Sequence, residues 1–340
     1  MIAILGGGVA GASLAWALTA AGHRDVTVFD PRARGAGSTS RALGGFRTQQ
    51  GSLLNTELSL ASREFFVALG ERIGFRSCGY LYLAENEAVA LDLQRRAARQ
   101  REWGIPVEHP DPRTLAPFLD LEGVAGANFC ALDGVYAPTL VLAAFIEAAG
   151  SAGAEFRYET EPPAGVIDAA EAVVVCCGAW SREVGESLGV TLEVTPWERG
   201  VYQVGPFGWL TGSEPMVLEA GSGYHFRERD RRLLVMFPDD PGTWEGVRDW
   251  LRMRVPAAAV DEPEAHWSGA YEVTPDHHPL VGETRRARLW ASCGFSGHGV
   301  MHSPAVARSL AAMILGLTPP MDLMALSPLR ETRLRDATQL

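Results

Sequence analysis

Residues Met1–Asp30 read MIAILGGGVAGASLAWALTAAGHRDVTVFD, and this stretch decides the fold class. Ile2–Leu5 is an apolar run of the kind that forms a buried parallel strand. Gly6, Gly8 and Gly11 follow in GxGxxG spacing. Val9 to Ala21 is apolar and alanine-rich, which predicts a helix packed on a sheet, stopped by Gly22. Val26–Phe29 is a second apolar strand, and it ends on Asp30. In such a unit the first glycine allows the tight turn. The second lets the backbone approach a pyrophosphate, and the third lets helix and strand pack closely. The free N–H groups at the helix start, around Val9 and Ala10, attract phosphate. Asp30 is placed to accept hydrogen bonds from an adenosine ribose, which disfavours a 2′-phosphate. The unit predicts a site for FAD or NAD, flanked by Pro31 and Arg32.

The chain has 340 residues, 47% hydrophobic and 21% charged, enough for two domains. A net charge of −11 argues against nucleic acid and anionic membranes as partners. Every basic residue is arginine; the sequence contains no lysine. Cys78, Cys130, Cys176, Cys177 and Cys293 lie mostly in apolar runs with no CxxC pair, which predicts free thiols in a cytoplasmic protein. The N-terminus lacks the basic leader of a signal peptide, and Leu310–Leu317 is too short to span a bilayer.

Downstream, Pro31–Gln50 is a glycine- and hydroxyl-rich loop. Ser38, Thr39, Ser40 and Arg41 can donate to phosphate or to a polar ring edge, and Gly44 and Gly45 permit close backbone approach. Helices are expected over 55–70, 86–103 and 139–149, the last with Pro138 in its first turn. A short helix is expected within 110–119. Strands are expected over 78–84 and 155–158. Glu171–Cys177 is a very apolar strand that runs into Gly178-Ala179-Trp180-Ser181. Segments 197–204, 216–219, 223–227 and 232–237 alternate like strands of an antiparallel sheet, followed by a helix over 242–255. After a strand at 289–292, Gly294, Gly297 and Gly299 form a glycine-rich turn holding His298, with Val300 and Met301 behind it. A helix is expected to begin near Ser303-Pro304. The tail 327–340 is charged and is expected to fray. The expected fold is α/β: a Rossmann-like nucleotide domain over 1–77, 123–196 and 269–340, interleaved with an antiparallel-sheet substrate domain over 78–122 and 197–268.

Five segments together resemble the FAD-dependent amine and amino-acid oxidoreductases of the D-amino-acid oxidase, glycine oxidase and sarcosine oxidase superfamily. They are the N-terminal unit, STSRALGGFR, VVVCCGAWS, YEVTPDHHPLVG and GFSGHGVMHSPAVARSLA. The resemblance implies an extended FAD. Gly6, Gly8, Gly11 and Asp30 would hold its ADP half; Ser38–Arg41, Cys177, Gly178, Trp180 and the Gly297–Met301 turn would surround its flavin half. It implies oxidation of a C–N bond by hydride transfer to flavin, the protein supplying orientation and charge. The chain also departs from its relatives. The segment whose arginine grips the substrate carboxylate in the glycine-oxidase branch is Gly269-Ala270-Tyr271 here. The cysteine that bonds flavin covalently in monomeric sarcosine oxidases is Gly269, so FAD is expected to be non-covalent. The lysine that follows the GHG turn there is Met301. With no lysine to promote reaction with oxygen, a dehydrogenase is expected rather than an efficient oxidase, with an unidentified electron acceptor.

Arg47 is the first candidate for the substrate carboxylate and Arg41 the alternate, because guanidinium can bind carboxylate in a bidentate way. Tyr202, Tyr224 and Tyr271 are expected on strands facing the pocket. His298 could hydrogen-bond the flavin or keep the amine neutral. The Asp276-His277-His278 triplet lacks the further ligands a metal needs, so no metal is expected. Two other readings stand beside amine oxidation. One is a 2-hydroxy-acid dehydrogenase with His298 or His277 as base. The other is a non-catalytic FAD-binding subunit of a larger complex; a partner subunit or a homo-oligomer is left open.

Overall fold

A computed structural model describes residues 1–237 and 243–334. Residue 242 of the helix expected at 242–255, and residues 335–340 of the expected tail, lie outside the described residues. In chain order the strands are β1 (Ile2–Leu5), β2 (Val26–Asp30), β3 (Gly45–Phe46), β4 (Tyr80–Ala84), β5 (Gly126–Cys130), β6 (Gly134–Val135), β7 (Glu155–Tyr158) and β8 (Ala172–Val175). They continue with β9 (Thr195–Val204), β10 (Met216–Glu219), β11 (His225–Arg229), β12 (Arg232–Met236), β13 (Ala265–Val273), β14 (Leu280–Glu283) and β15 (Leu289–Cys293). The helices are α1 (Val9–Ala20), α2 (Leu53–Leu69), α3 (Glu87–Glu102), α4 (Pro112–Leu115), α5 (Pro138–Ser151), α6 (Val166–Ala169), α7 (Ser181–Ser187), α8 (Trp244–Arg254) and α9 (Gly299–Ile314).

Among the described residues, a six-stranded sheet runs β14-β15-β8-β1-β2-β7 and a seven-stranded sheet runs β13-β9-β12-β11-β10-β4-β5. In the first, β15, β8, β1, β2 and β7 are parallel, and β14 adds one antiparallel edge. Both faces are covered, so β1 and β8 are buried at every position. Helix α1 packs between the sheet, α5 and α9, which suits its apolar, alanine-rich surface. The second sheet is antiparallel except where β10 pairs parallel with β4, a departure from the expected all-antiparallel sheet. Strands β5 and β13 belong to this second sheet, across the boundaries expected at 123 and 269.

The helix expected to start near Ser303-Pro304 begins four residues earlier, at Gly299, so Pro304 stands inside α9. Proline has no N–H for the carbonyl of Val300. Ser303 Oγ donates to that carbonyl instead, at 2.9 Å, and the second turn tolerates the proline.

The C-terminal segment is clamped to the loop before β14. Arg330 Nη2 and Nε donate to the two carboxylate oxygens of Asp276, at 2.7 and 2.9 Å. Its Nη1 donates to the carbonyls of Pro279, Leu326 and Ser327. Burial pushes the Asp276 carboxyl up, but the hydrogen bonds and charge of Arg330 outweigh it and hold the group at about 2. A carboxylate depressed in the folded state stabilises the fold above its ordinary range, and that stability is lost as pH falls through about 2. Arg330→Met is therefore expected to move the acid-unfolding midpoint, followed by circular dichroism, to higher pH. An unchanged midpoint would show that the clamp contributes nothing.

Candidate active site

The carboxyl ends of β1, β2 and β8 open on a cleft of about 1040 Å3, where a parallel sheet of this kind places its ligand. Gly6, Gly7, Gly8, Val9 and Ala10 line it. Gly6 has φ of +102°, and a Cβ there would stand 2.3 Å from the carbonyl oxygen of Cys176. A Cβ on Gly11 would stand 2.0 Å from the carbonyl oxygen of Gly6. The tight turn and the close helix packing thus both require glycine. Gly8 differs: a Cβ there would meet only Thr39 Oγ1, at 3.5 Å, so its near side lies open to the cleft. Helices α1 and α9 both point their N-termini into this cleft, with no side-chain cap and no acidic residue in the first turn. Their first N–H groups have no partner within the helix and present positive charge.

Asp30 is buried at the cleft edge. Its Oδ2 accepts from Gly7 N and its Oδ1 from Arg32 N, both at 2.9 Å. The carboxylate stiffens the glycine turn and retains lone pairs for ribose hydroxyls. The Arg32 guanidinium lies 3.8 Å over the ring of Trp180, which is 40% exposed at the cleft wall. Ser38 and Thr39 line the cleft and tie it together. Ser38 Oγ donates to the carbonyl of Ala270 at 2.7 Å, and Thr39 Oγ1 accepts from Val9 N at 3.2 Å. Arg41 lines it too, with Nη1 donating to the carbonyl of Ser268 at 2.8 Å. Cys177, Gly178 and Trp180 line it together with Glu272. Ser40 donates back to the carbonyls of Gly35 and Gly37; it, Pro31 and Gly294 line neither cavity.

An inner pocket of about 690 Å3 adjoins the cleft, and Ala42, Arg199, Tyr271, Gly297 and Val300 line both. Gly44, Gly45, Arg47, His298 and Met301 line its interior. Arg47 Nη1 donates to the Tyr82 hydroxyl at 2.9 Å, and Nη2 donates to His298 Nε2 at 2.7 Å. A guanidinium only donates, so His298 accepts at Nε2 and carries its proton on Nδ1. Burial, then the Arg47 charge, pushes His298 well below the usual imidazole range, and the ring is neutral. His302 stacks behind it at 5.3 Å and bonds Ser59 Oγ through Nε2 at 3.0 Å. Burial lowers His302 to about 3. The segment carrying Arg47 is anchored by fully buried Asp133, which accepts from Thr48 N, Thr48 Oγ1 and Gln49 Nε2.

The three tyrosines part company. Tyr271 lines both cavities, its hydroxyl 3.5 Å from Met236 Sδ. Tyr202 and Tyr224 do not reach the pocket. Tyr202 stacks on His266 at 4.3 Å and packs on Trp244, while Tyr224 stacks on Trp250 at 5.0 Å. Both belong to the packing on the other face of the seven-stranded sheet. Alternation along a strand sends neighbours to opposite faces, and the pocket-lining residues of these stretches are Arg199 and His225. Arg199 is buried, its guanidinium 4.6 Å from the Trp197 ring centre and 5.7 Å from that of Tyr271. His225 Nδ1 donates to the carbonyl of Gly223 at 2.9 Å, leaving Nε2 as its acceptor. Burial, with the Arg199 and Arg47 charges, lowers it to about 4, so it too is neutral. Sequence reasoning missed Arg199, His225, His302 and Glu272.

A family profile described as "DAO: FAD dependent oxidoreductase" matches residues 1–313. The chain belongs to this family. Glycine oxidase of Geobacillus kaustophilus (strain HTA426) is 31% identical to this FAD-dependent oxidoreductase over 352 residues, 92% of each chain. The crystal structure of glycine oxidase from Geobacillus kaustophilus superposes with a TM-score of 0.86 at 29% identity, covering 97% of this chain and 98% of that one. L-proline dehydrogenase from P. horikoshii shares the fold, with a TM-score of 0.89 at 24% identity over 97% and 96% of the two chains. The residues of this oxidoreductase fit its cofactor. The open side of Gly8 and the N-termini of α1 and α9, which carry no acidic residue in their first turns, suit a diphosphate, and Asp30 suits a ribose.

Proposed function

We propose that this oxidoreductase oxidises the C–N bond of a small amino acid or secondary amine, as a dehydrogenase rather than an efficient oxidase. The unit on the six-stranded sheet holds FAD, and the unit on the seven-stranded sheet holds the substrate. The observation that carries the reading is the inner pocket, which adjoins the cleft and joins two buried arginines to two neutral imidazoles. FAD, when bound, supplies the acceptor for the hydride of the substrate's α-carbon. Arg199, on the wall common to both cavities, grips the substrate carboxylate. His225 accepts an N–H of the amine at Nε2 and fixes the face that the α-carbon presents. Arg47 and Tyr82 hold His298 at the α9 N-terminus. Tyr271 stands on the wall common to both cavities and shields the pocket from water. Gly269 lines the cleft where the relatives' flavin-bonding cysteine would be, which supports non-covalent FAD.

The geometry gives the two other readings less support. Neither base expected for a hydroxy-acid substrate is in place: the acceptor atom of His298 is held by Arg47 and His277 lines neither cavity, which leaves that role to His225 alone. A non-catalytic subunit has no need of a polar pocket complete within one chain. Among the described residues no helix is long and apolar enough to cross a membrane, and the five free cysteines support a cytoplasmic site.

The test is anaerobic addition of amino acids, secondary amines and 2-hydroxy acids to the flavin-loaded protein, followed by turnover with a dye or with oxygen. An amino acid or amine is expected to bleach the flavin bands while hydroxy acids leave them unchanged. Dye-coupled turnover is expected to run well above peroxide formation. Peroxide formed at the rate of substrate oxidation in air would overturn the dehydrogenase assignment, and bleaching by hydroxy acids alone would overturn the C–N assignment.

A further inference from the structure

Glu272 is a cleft-wall carboxyl to which the proposed reaction gives no task. It follows Tyr271 on β13 and is partly buried. Its Oε2 accepts from Gly294 N at 3.0 Å. Its Oε1 lies 3.8 Å from the place a Cβ would take on Gly299, and Oε2 lies 3.8 Å from the corresponding place on Gly178. The carboxyl thus stands between the N-terminus of α9 and the turn that follows β8, at the wall FAD must cover.

Apart from the N–H groups at the start of α9, what faces it carries no compensating charge. Cys176 and Cys177 face it from the end of β8 and Cys293 from β15. Burial pushes all three thiols up, so they are uncharged. Asp30 and Arg32 act on Cys177 from the nucleotide end of the cleft. Arg41 packs on Gly269, and Arg199 lies over Tyr271. Among the described residues no guanidinium donates to Glu272. Burial raises the carboxyl, and the N–H groups of Gly294 and Phe295 only partly offset it, leaving the group at about 7.

We propose that Glu272 is the proton-linked group of the cofactor site: FAD binds the form with a neutral carboxyl, and loading above neutral pH takes up one proton from solution onto Glu272. Filling the cleft removes water from this wall and brings in a diphosphate. Both disfavour a carboxylate and favour the acid. The step is carboxylate plus proton giving carboxylic acid, with no electrons transferred. The proposal rests on FAD occupying the cleft and not on the substrate assigned above.

The experiment titrates FAD calorimetrically into the apoprotein between about pH 6 and about 9, in buffers of different ionisation enthalpy. Wild-type affinity is expected to fall by up to about tenfold per pH unit above about 7, with about one proton bound per FAD. Glu272→Gln is expected to keep the low-pH affinity throughout, with no proton uptake. A wild-type affinity that is flat with pH and binds no proton overturns the proposal. So does a Glu272→Gln variant that keeps the wild-type slope. Should that variant fail to fold, the wild-type proton count decides: about one supports the proposal, and none overturns it. Absence of FAD binding at every pH overturns the cofactor assignment itself.

Discussion

Replacing Arg199 by methionine is expected to lower kcat/KM for an amino-acid substrate by about 10²- to 10³-fold, the size of losing one buried charge-assisted partner. Methionine keeps much of the stem volume while removing the charge and the guanidinium's contacts with Trp197 and Tyr271. The loss should vanish for the corresponding amine without its carboxylate, which both forms turn over equally poorly. Arg47→Met separates the two arginines. Arg47 is bonded to Tyr82 and His298, so its removal should act chiefly on kcat, by freeing the His298 ring. An Arg199→Met protein with unchanged kcat/KM, beside an Arg47→Met protein that discriminates against the carboxylate, would return the grip to Arg47.

Arg254→Met is expected to destabilise the fold by about 3–5 kcal/mol, read as a lowered urea midpoint at constant slope. Arg254 Nε donates to Glu219 Oε1 at 2.5 Å, and Trp250 Nε1 donates to Glu219 Oε2 at 2.9 Å. The side chains of this pair are 3% and 1% exposed. Arg254 Nη1 also reaches the carbonyls of Asp120 and Glu122, so one guanidinium ties α8, β10 and the segment before β5 together. Removing the cation leaves a buried carboxylate without its counter-charge, which is the costly half of breaking such a pair. Adding Glu219→Gln to Arg254→Met should recover a large part of the loss, because the stranded charge goes with it. A double variant as unstable as the single would assign the cost to the lost carbonyl contacts instead.

The nucleotide unit was legible because its signals are local. Strand, glycines, helix and acid fall within thirty residues, and the turn they form closes on itself through Asp30 and Gly7. The second sheet was legible only as a set of strands. Strands β4 and β10 are buried at every position, so no polar alternation marks which face meets the pocket. The reading placed Tyr224 where its neighbour His225 stands, and Tyr202 on the pocket face that Arg199 occupies. Strand β13 was read only as a strand around Tyr271, without bounds, although it pairs along its whole length with β9. Asp133 and Glu272 gave no sign either. Their roles depend on Thr48 and Gly294, contacts far along the chain that spacing alone does not reveal.

The wall shared by the two cavities has a consequence for how the protein matures. Ala42, Arg199, Tyr271, Gly297 and Val300 line both, so only a filled cleft completes the inner pocket. On the proposed reading the cofactor is a building element of the substrate site as well as a reagent, and flavin is expected to bind before substrate. Specific activity in a preparation would count loaded molecules, and a cell short of flavin would lose substrate recognition and turnover in the same proportion.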